Sequence, residues 1–341
     1  MALPALAPTA IGLAGGAILR TDLQAYVESA SDIEQGLFAE KIFPVYPVAA
    51  RDGQYLTATI TDTGVASGVG QARAPGTEFA TYFRQQNSRN YSCINYGAEA
   101  IVPQEVEDYL SDFGFDTQAE HAKLTVRGIK LFQEQRVQNV LMNSANFTAT
   151  AANVAYLTAN LATATPILDL ITARNANLKN GVQPDTVVMS LNVASYIIQT
   201  TNFLNFYKGY AISATNIPNI DAIGVMLKTL GIQNFYVPWA AINTAALGAT
   251  ASLSPIWSDT YIWMGKCNGG PSSIGGAGRL FTWSKHGGLY NIVSYWDQRI
   301  RSTRIQVDQF VTEVVLGVEA QGSTAGVSTF GQLITTGYTG S

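Results

Sequence analysis

The feature that most constrains this chain is one long helix. Thr117-Gln-Ala-Glu120 has the spacing of a capping box, in which a hydroxyl and a carboxylate satisfy the free N–H groups of a first turn. Ala122, Val126, Ile129, Phe132, Val137, Val140 and Leu141 follow as an apolar stripe. Lys123, Arg127, Lys130, Glu134 and Gln138 fall mostly between them. The pattern predicts a helix ending near Asn143-Ser144, a rod of roughly 38 Å at 1.5 Å per residue. An ordinary amphipathic core helix is the plain reading of such a stripe, and the residues alone do not separate it from a bracing role.

The segments before the helix carry no core of their own. Residues 1–20 are almost all apolar or small, and Pro4, Pro8, Gly12, Gly15 and Gly16 break any membrane helix. No Lys or Arg precedes the apolar stretch, which argues against a signal peptide and for an extended arm lying on another surface. Residues 21–40 read as one or two short helices, and Pro44 and Pro47 stiffen an extended stretch. Residues 55–61 alternate as a strand does, with Thr57 and Thr59 opposite Leu56, Ala58 and Ile60. A Gly-rich tip over residues 62–76 follows, then strand-like residues 79–83 and 91–96. This is a long two-stranded excursion, and a lone ribbon is marginal in water.

After the helix the pattern is mixed. A helix is expected over 167–178, a short buried strand over 186–191, a helix capped by Asn192 and running through Gln199, and a helix over 220–230 ended by Gly231. Residues 233–237 and 261–264 read as strands and 266–278 as a flexible loop. Alternation returns at 292–296 and 303–315, where Ile305 and Val307 sit between Arg304, Gln306 and Asp308. The last fifteen or so residues, small and polar, read as an irregular tail.

Composition narrows the function classes. Hydrophobic residues are 47% of the 341 and charged residues only 13%, about half the usual share. That excludes a disordered chain and favours a surface covered by partners. A net charge of −4 offers no basic excess to grip nucleic acid over the whole surface. Cys93 and Cys267 make neither a disulfide framework nor a four-cysteine zinc site, and His121 and His286 alone build no histidine-rich metal site. No other uncharged apolar run approaches the roughly 20 residues of a membrane span.

Catalytic motifs are missing where they would be needed. A nucleotide-binding α/β unit over 186–265 requires glycines after its first strand, but the turn reads Asn192-Val-Ala-Ser-Tyr196. There is no Walker lysine and no Gly-x-Ser-x-Gly elbow, and the glycine-rich loop at 269–278 lacks a phosphate-binding lysine. Cys93 reads as a small core residue, and His121 and His286 as structural or surface groups. Glu105, Glu107, Asp108 and Asp112 read as a solvated face. Asn146-Phe-Thr148 matches a glycosylation sequon, which has little meaning without secretion. Trp257, Trp263, Trp283 and Trp296 suit core or interface packing better than stacking on bases or sugars. Arg299, Arg301 and Arg304 form a local basic cluster in an acidic chain, placed to meet carboxylates of a neighbouring subunit. No cofactor and no metal is expected.

The order of these parts, from arm through excursion, capped helix and α/β block to arginine-rich strands, resembles the major capsid proteins of tailed bacteriophages, with the HK97-like fold. Residues 118–143 look like its spine helix. Residues 167–203, with Pro184-Asp-Thr-Val-Val-Met-Ser, look like the opening of its axial domain. Tyr295-Trp-Asp-Gln-Arg-Ile-Arg-Ser-Thr-Arg-Ile-Gln-Val-Asp-Gln-Phe looks like its peripheral loop. The resemblance implies an α+β fold with an N-terminal arm and short helices (1–48) and an extended β-hairpin loop (49–98). A peripheral domain (99–150 and 290–316) and an axial domain with the C-terminal tail (151–289 and 317–341) complete it. It implies a non-enzymatic subunit that assembles with itself into hexamers and pentamers of an icosahedral shell, made in the host cytoplasm and found in the virion. Implied partners are a portal, separate scaffolding or decoration proteins, and packaged double-stranded DNA held weakly, with no membrane. Because the arm begins at Met1, an internal scaffolding segment is expected to be absent or separate. Some relatives crosslink a lysine of the excursion to an asparagine of the peripheral loop. Here no lysine lies between Lys41 and Lys123 and no asparagine in 298–304, so a non-covalent shell is expected, with Arg73, Arg299, Arg301 and Arg304 at subunit contacts. An encapsulin-type compartment holding protein cargo is the alternative, and an α/β enzyme the less favoured one.

Overall fold

The computed structural model describes residues 11–12, 18–19, 23, 36–57, 72, 75, 77–78, 87–210, 218–245, 249–267, 275–286, 289–318 and 327–338. Its strands are β1 (Ile11–Gly12), β2 (Ile18–Leu19), β3 (Val45–Val48), β4 (Asp52–Thr57), β5 (Asn87–Ser92), β6 (Ile94–Pro103), β7 (Phe147–Ala151), β8 (Thr186–Val188), β9 (Asn234–Tyr236), β10 (Ala241–Asn243), β11 (Leu253–Pro255), β12 (Tyr261–Gly265), β13 (Gly278–Trp283), β14 (Asn291–Asp297), β15 (Ser302–Val315) and β16 (Ser328–Thr335). Its α-helices are α1 (Ala39–Ile42), α2 (Gln104–Ser111), α3 (Thr117–Leu141), α4 (Pro166–Lys179), α5 (Leu191–Gln199), α6 (Thr201–Tyr210) and α7 (Asp221–Thr229).

The first sheet is built around β15. Its apolar positions Ile305, Val307 and Val311 are buried, as alternation requires, and beyond them Val314 is buried in a separate small core. One edge of β15 pairs with β14 and then β13, both antiparallel, and the other with β6 from Pro103 to Ile94. The short β2 adds to β14, β1 adds to β2, and β3 closes the far side parallel to β13. Across this sheet lies α3, whose Ala122, Val126 and Ile129 pack with Val102, Ile292, Ile305 and Val307.

Three expectations about α3 need correction. Its N-cap is Asp116, whose carboxylate accepts the Ala119 N–H at 3.0 Å. Thr117 is already inside the helix, its hydroxyl buried without a hydrogen-bond partner. The helix also stops at Leu141, slightly before the expected end. The apolar stripe is not one face throughout. Phe132 is 57% exposed, while Gln133, Glu134 and Gln138 are buried. The reason is a change of partner: beyond Ile129 the helix leaves the sheet's core and enters a second one. There Val137 and Leu141 meet Ile42, Phe43, Phe147, Trp257, Trp263 and Leu280.

A second, five-stranded sheet runs β7-β16-β12-β8-β9. Helices α4, α5 and α7 pack on it through Leu170, Val193, Ile197, Ile223 and Leu227 against Val187, Ile262 and Ile334. The expected tail is therefore wrong over its middle: β16 lies inside this sheet, parallel to β7 and antiparallel to β12. Its polar look has a packing cause. The Trp263 ring crosses the strand so closely that a Cβ on Gly331 would fall 2.6 Å from its indole nitrogen. The cap of α5 is Ser190, which accepts the Val193 N–H, and not Asn192.

The excursion has a partner at its root. Strands β4 and β5 pair antiparallel from Asp52↔Ser92 to Thr57↔Asn87. Tyr55 and Tyr91 stand edge-on to Phe281 of β13, with centroids 5.5 and 5.1 Å away, and the Tyr55 hydroxyl donates to the Val315 carbonyl. Cys93 and Leu316 complete this small core.

Candidate assembly surface

The turn joining β14 to β15 carries the basic cluster. Arg301 sits at φ 46, the left-handed region that sharp turns use, and its carbonyl accepts the Gln104 N–H at 3.1 Å. Asp297 is nearly buried at the turn's root. The Arg299 guanidinium reaches it at 3.3 Å and the Arg299 backbone N–H at 3.0 Å. These bonds, with Arg304 beside them, hold the Asp297 carboxyl below the usual carboxylate range. Arg304 is bound within its own chain: Nη1 donates to Glu99 at 3.0 Å, and Nε lies 3.0 Å from Asp297 as an ion pair without hydrogen-bond alignment. Tyr295 adds its hydroxyl to Glu99 at 3.3 Å. Arg299 is different: 85% of its side chain is exposed. Arg301 touches Gln104 at 3.4 Å and is otherwise exposed, between exposed Trp296 and Ile300 on one side and the start of α2 on the other. Thus Arg299 and Arg301 point outward, Arg304 locks β6 to β15, and Arg73 lies outside the described residues.

The carboxylates read as a solvated face lie on α2 and just after it, and the helix holds more than charge. It buries none of its residues. Val106, Tyr109, Phe113 and Phe115 are all exposed, and the Tyr109 and Phe113 rings pack edge-on at 5.2 Å. Gly114, at φ 77, ends the helix by donating to the Ser111 carbonyl while Phe115 donates to Leu110. Four large apolar groups on one short, acidic segment were the available sequence signal.

A buried carboxylate was missed altogether. Glu134 accepts the Ala39 N–H at 2.7 Å, the Phe38 N–H at 3.0 Å and the Trp257 indole N–H at 2.8 Å. It caps α1 from the flank of α3 and so ties the segment around residue 39 to the long helix. Burial pushes its carboxyl up to about 7, against the pull of those three donors. A cavity of about 130 Å³ beside it is lined by Glu40, Lys41, Lys130 and Gln133. The remaining reactive types are quiet. Burial raises the Cys93 thiol to about 11 and raises Cys267 as well, which disfavours the thiolate a nucleophile needs. Among the described residues no three His, Cys, Asp or Glu side chains could hold a metal ion, and no helix is long and apolar enough to cross a membrane.

Solved structures share this architecture end to end. A phage-related protein from Bordetella bronchiseptica RB50 superposes with a TM-score of 0.67 over 94% of this chain and 97% of its own, at 19% identity. The chain has the HK97-like fold. A chain from the capsid of a native GTA particle gives a TM-score of 0.55 over 88% and 89%, at 11% identity, and a chain from a structure of Mycobacterium phage Adephagia gives 0.52 over 88% and 90%, at 14% identity. No protein-family model and no curated protein matches the sequence. The α+β class expected from the sequence is thus the observed one. In this HK97-like chain the basic turn, α2 and the root of the β4–β5 ribbon all lie at the first sheet.

Proposed function

We propose that this chain is the major subunit of a viral capsid. Copies assemble into hexamers and pentamers that close an icosahedral shell around double-stranded DNA, without catalysis. The observation that carries the reading is the match, over most of both chains, to a phage-related protein, to a chain from a Mycobacterium phage and to the capsid of a GTA particle. Three features support it. Helix α2 presents apolar side chains that its own chain does not cover. The root of the ribbon is seated on Phe281 through Tyr55 and Tyr91. Charged residues make up only 13% of the chain, which suits a surface covered by neighbours. In this reading β6, α3, β14 and β15 form the peripheral domain, the five-stranded sheet with its helices forms the axial domain, and residues 49–98 reach over a neighbour. A portal and separate scaffolding or decoration proteins are the further partners, and the virion is the destination.

Sedimentation velocity of the purified full chain, with nuclease treatment of particles from producing cells, tests the proposal. Closed particles protecting double-stranded DNA are expected in an infected host. Particles enclosing protein and never DNA would replace the capsid reading with the cargo-compartment one.

A further inference from the structure

We infer that α2 and the β14–β15 turn are the two halves of one contact, the acidic helix of each copy receiving the basic turn of the next. The inference rests on the shell reading and names the partner of that surface. Residues 104–116 contain Glu105, Glu107, Asp108, Asp112 and Asp116 and no Lys or Arg, and Val106, Tyr109, Phe113 and Phe115 are exposed among them. The turn offers the complement: Arg299 and Arg301 outward, flanked by exposed Trp296 and Ile300. Each half therefore combines exposed apolar side chains with charges of opposite sign, the composition of a contact that apolar groups bury and charges steer.

The two halves cannot satisfy each other inside one chain in the way their charges suggest. They meet only at the helix's first residue, where Gln104 bonds to the Arg301 carbonyl and guanidinium. The carboxylates and rings lie further along, on a helix with no buried residue. Two unlike faces on one chain make a head-to-tail contact, which a closing rotation turns into a ring. Of the three arginines, Arg304 is held by Glu99 and Asp297 and is mostly covered, so it serves as the root of the turn, whereas Arg299 also bonds to Asp297 but leaves 85% of its side chain exposed towards a second carboxylate.

A charge exchange tests this. Asp108→Lys with Asp112→Lys, and separately Arg299→Glu with Arg301→Glu, should each cut particle yield about tenfold, since like charges then face each other. All four changes together should restore yield towards that of the unaltered chain. Asp108, Asp112 and Arg301 are exposed, so their changes should leave melting temperatures near the original. Arg299→Glu also loses the bonds to Asp297, a local cost that the fourfold variant keeps and that its restored yield therefore cannot come from. As an independent arm, Arg299→Lys supplies an amine. Carbodiimide treatment of mixed light and isotopically heavy chains should then yield heavy–light crosslinks from position 299 to Glu105, Asp108 or Asp112. If the unaltered chain forms particles while the reversed variants do so equally well, or the fourfold variant is no better than its parents, the contact is wrong and the shell reading stands. If the unaltered chain forms no particles at all, both fall.

Discussion

Asp116 and Glu134 show how single side chains fix the long helix, and both are testable. Asp116 satisfies a free N–H at the start of α3, whereas the Thr117 hydroxyl satisfies none. Asp116→Ala should therefore lower stability by about 1 kcal/mol, and Thr117→Ala by clearly less, in urea titrations. The reverse order would return the cap to Thr117. In the folded chain burial holds the Glu134 carboxyl at about 7, against an ordinary 4.5. Between those values the folded chain holds a proton that the unfolded chain has released. The stabilisation from this group is thus complete below about pH 4.5 and is lost as pH rises through 7. From pH 4 to pH 8 the original chain should lose roughly 3 kcal/mol relative to Glu134→Gln, which does not titrate. A difference that stays constant with pH would show that the three N–H donors balance burial, and one that moves the other way that they outweigh it. The sequence concealed both residues for local reasons. Asp116 lies one position before a motif that matches the capping pattern by itself. Glu134 looks like any charge between apolar positions until Trp257, far along the chain, donates to it.

At the scale of elements, legibility followed the range of the interactions that fix each piece. Helices α4 and α7 and strands β14 and β15 were readable because their burial pattern is written in neighbouring residues. Strand β16 was not, because its glycine at 331 answers to Trp263 on another strand. The outward face of α3 was misread at Phe132 because the helix exchanges one core for another partway along. The residues show the Arg299 and Arg301 turn as a charge cluster and the α2 carboxylates as a solvated face, and the structure agrees. They do not show that Val106, Tyr109, Phe113 and Phe115 stand exposed among those carboxylates, because that exposure is set by the fold. The ribbon's root offers a direct test. Thr57 and Asn87 are register partners, so residues 58–86 can be replaced by Asn-Gly, which closes a two-residue hairpin. With Tyr55, Tyr91 and Phe281 intact, the shortened chain should melt within about 5 °C of the original, while particle formation should fail. A large drop in melting temperature would mean that the removed residues stabilise their own subunit.

For the whole molecule, the two larger sheets share one core, and among the described residues Val106, Tyr109, Phe113 and Phe115 stand exposed outside it. A shell held by such surfaces needs no covalent bond. The excursion has no lysine to supply one, and arginine forms ion pairs rather than amides. Each exposed pair contributes at most about 1 kcal/mol, so repetition around a closed shell has to supply the strength. Boiled particles should run as a single band near 36.5 kDa on a denaturing gel, and a reductant-resistant ladder would contradict this. The most direct measurement is a cryo-electron microscopy reconstruction of whatever the purified full chain forms. The account predicts a closed shell in which Tyr109, Phe113 and Phe115 of every copy are covered by a neighbour. A monodisperse single chain under all assembly conditions, or a shell that leaves those rings in solvent, would contradict it.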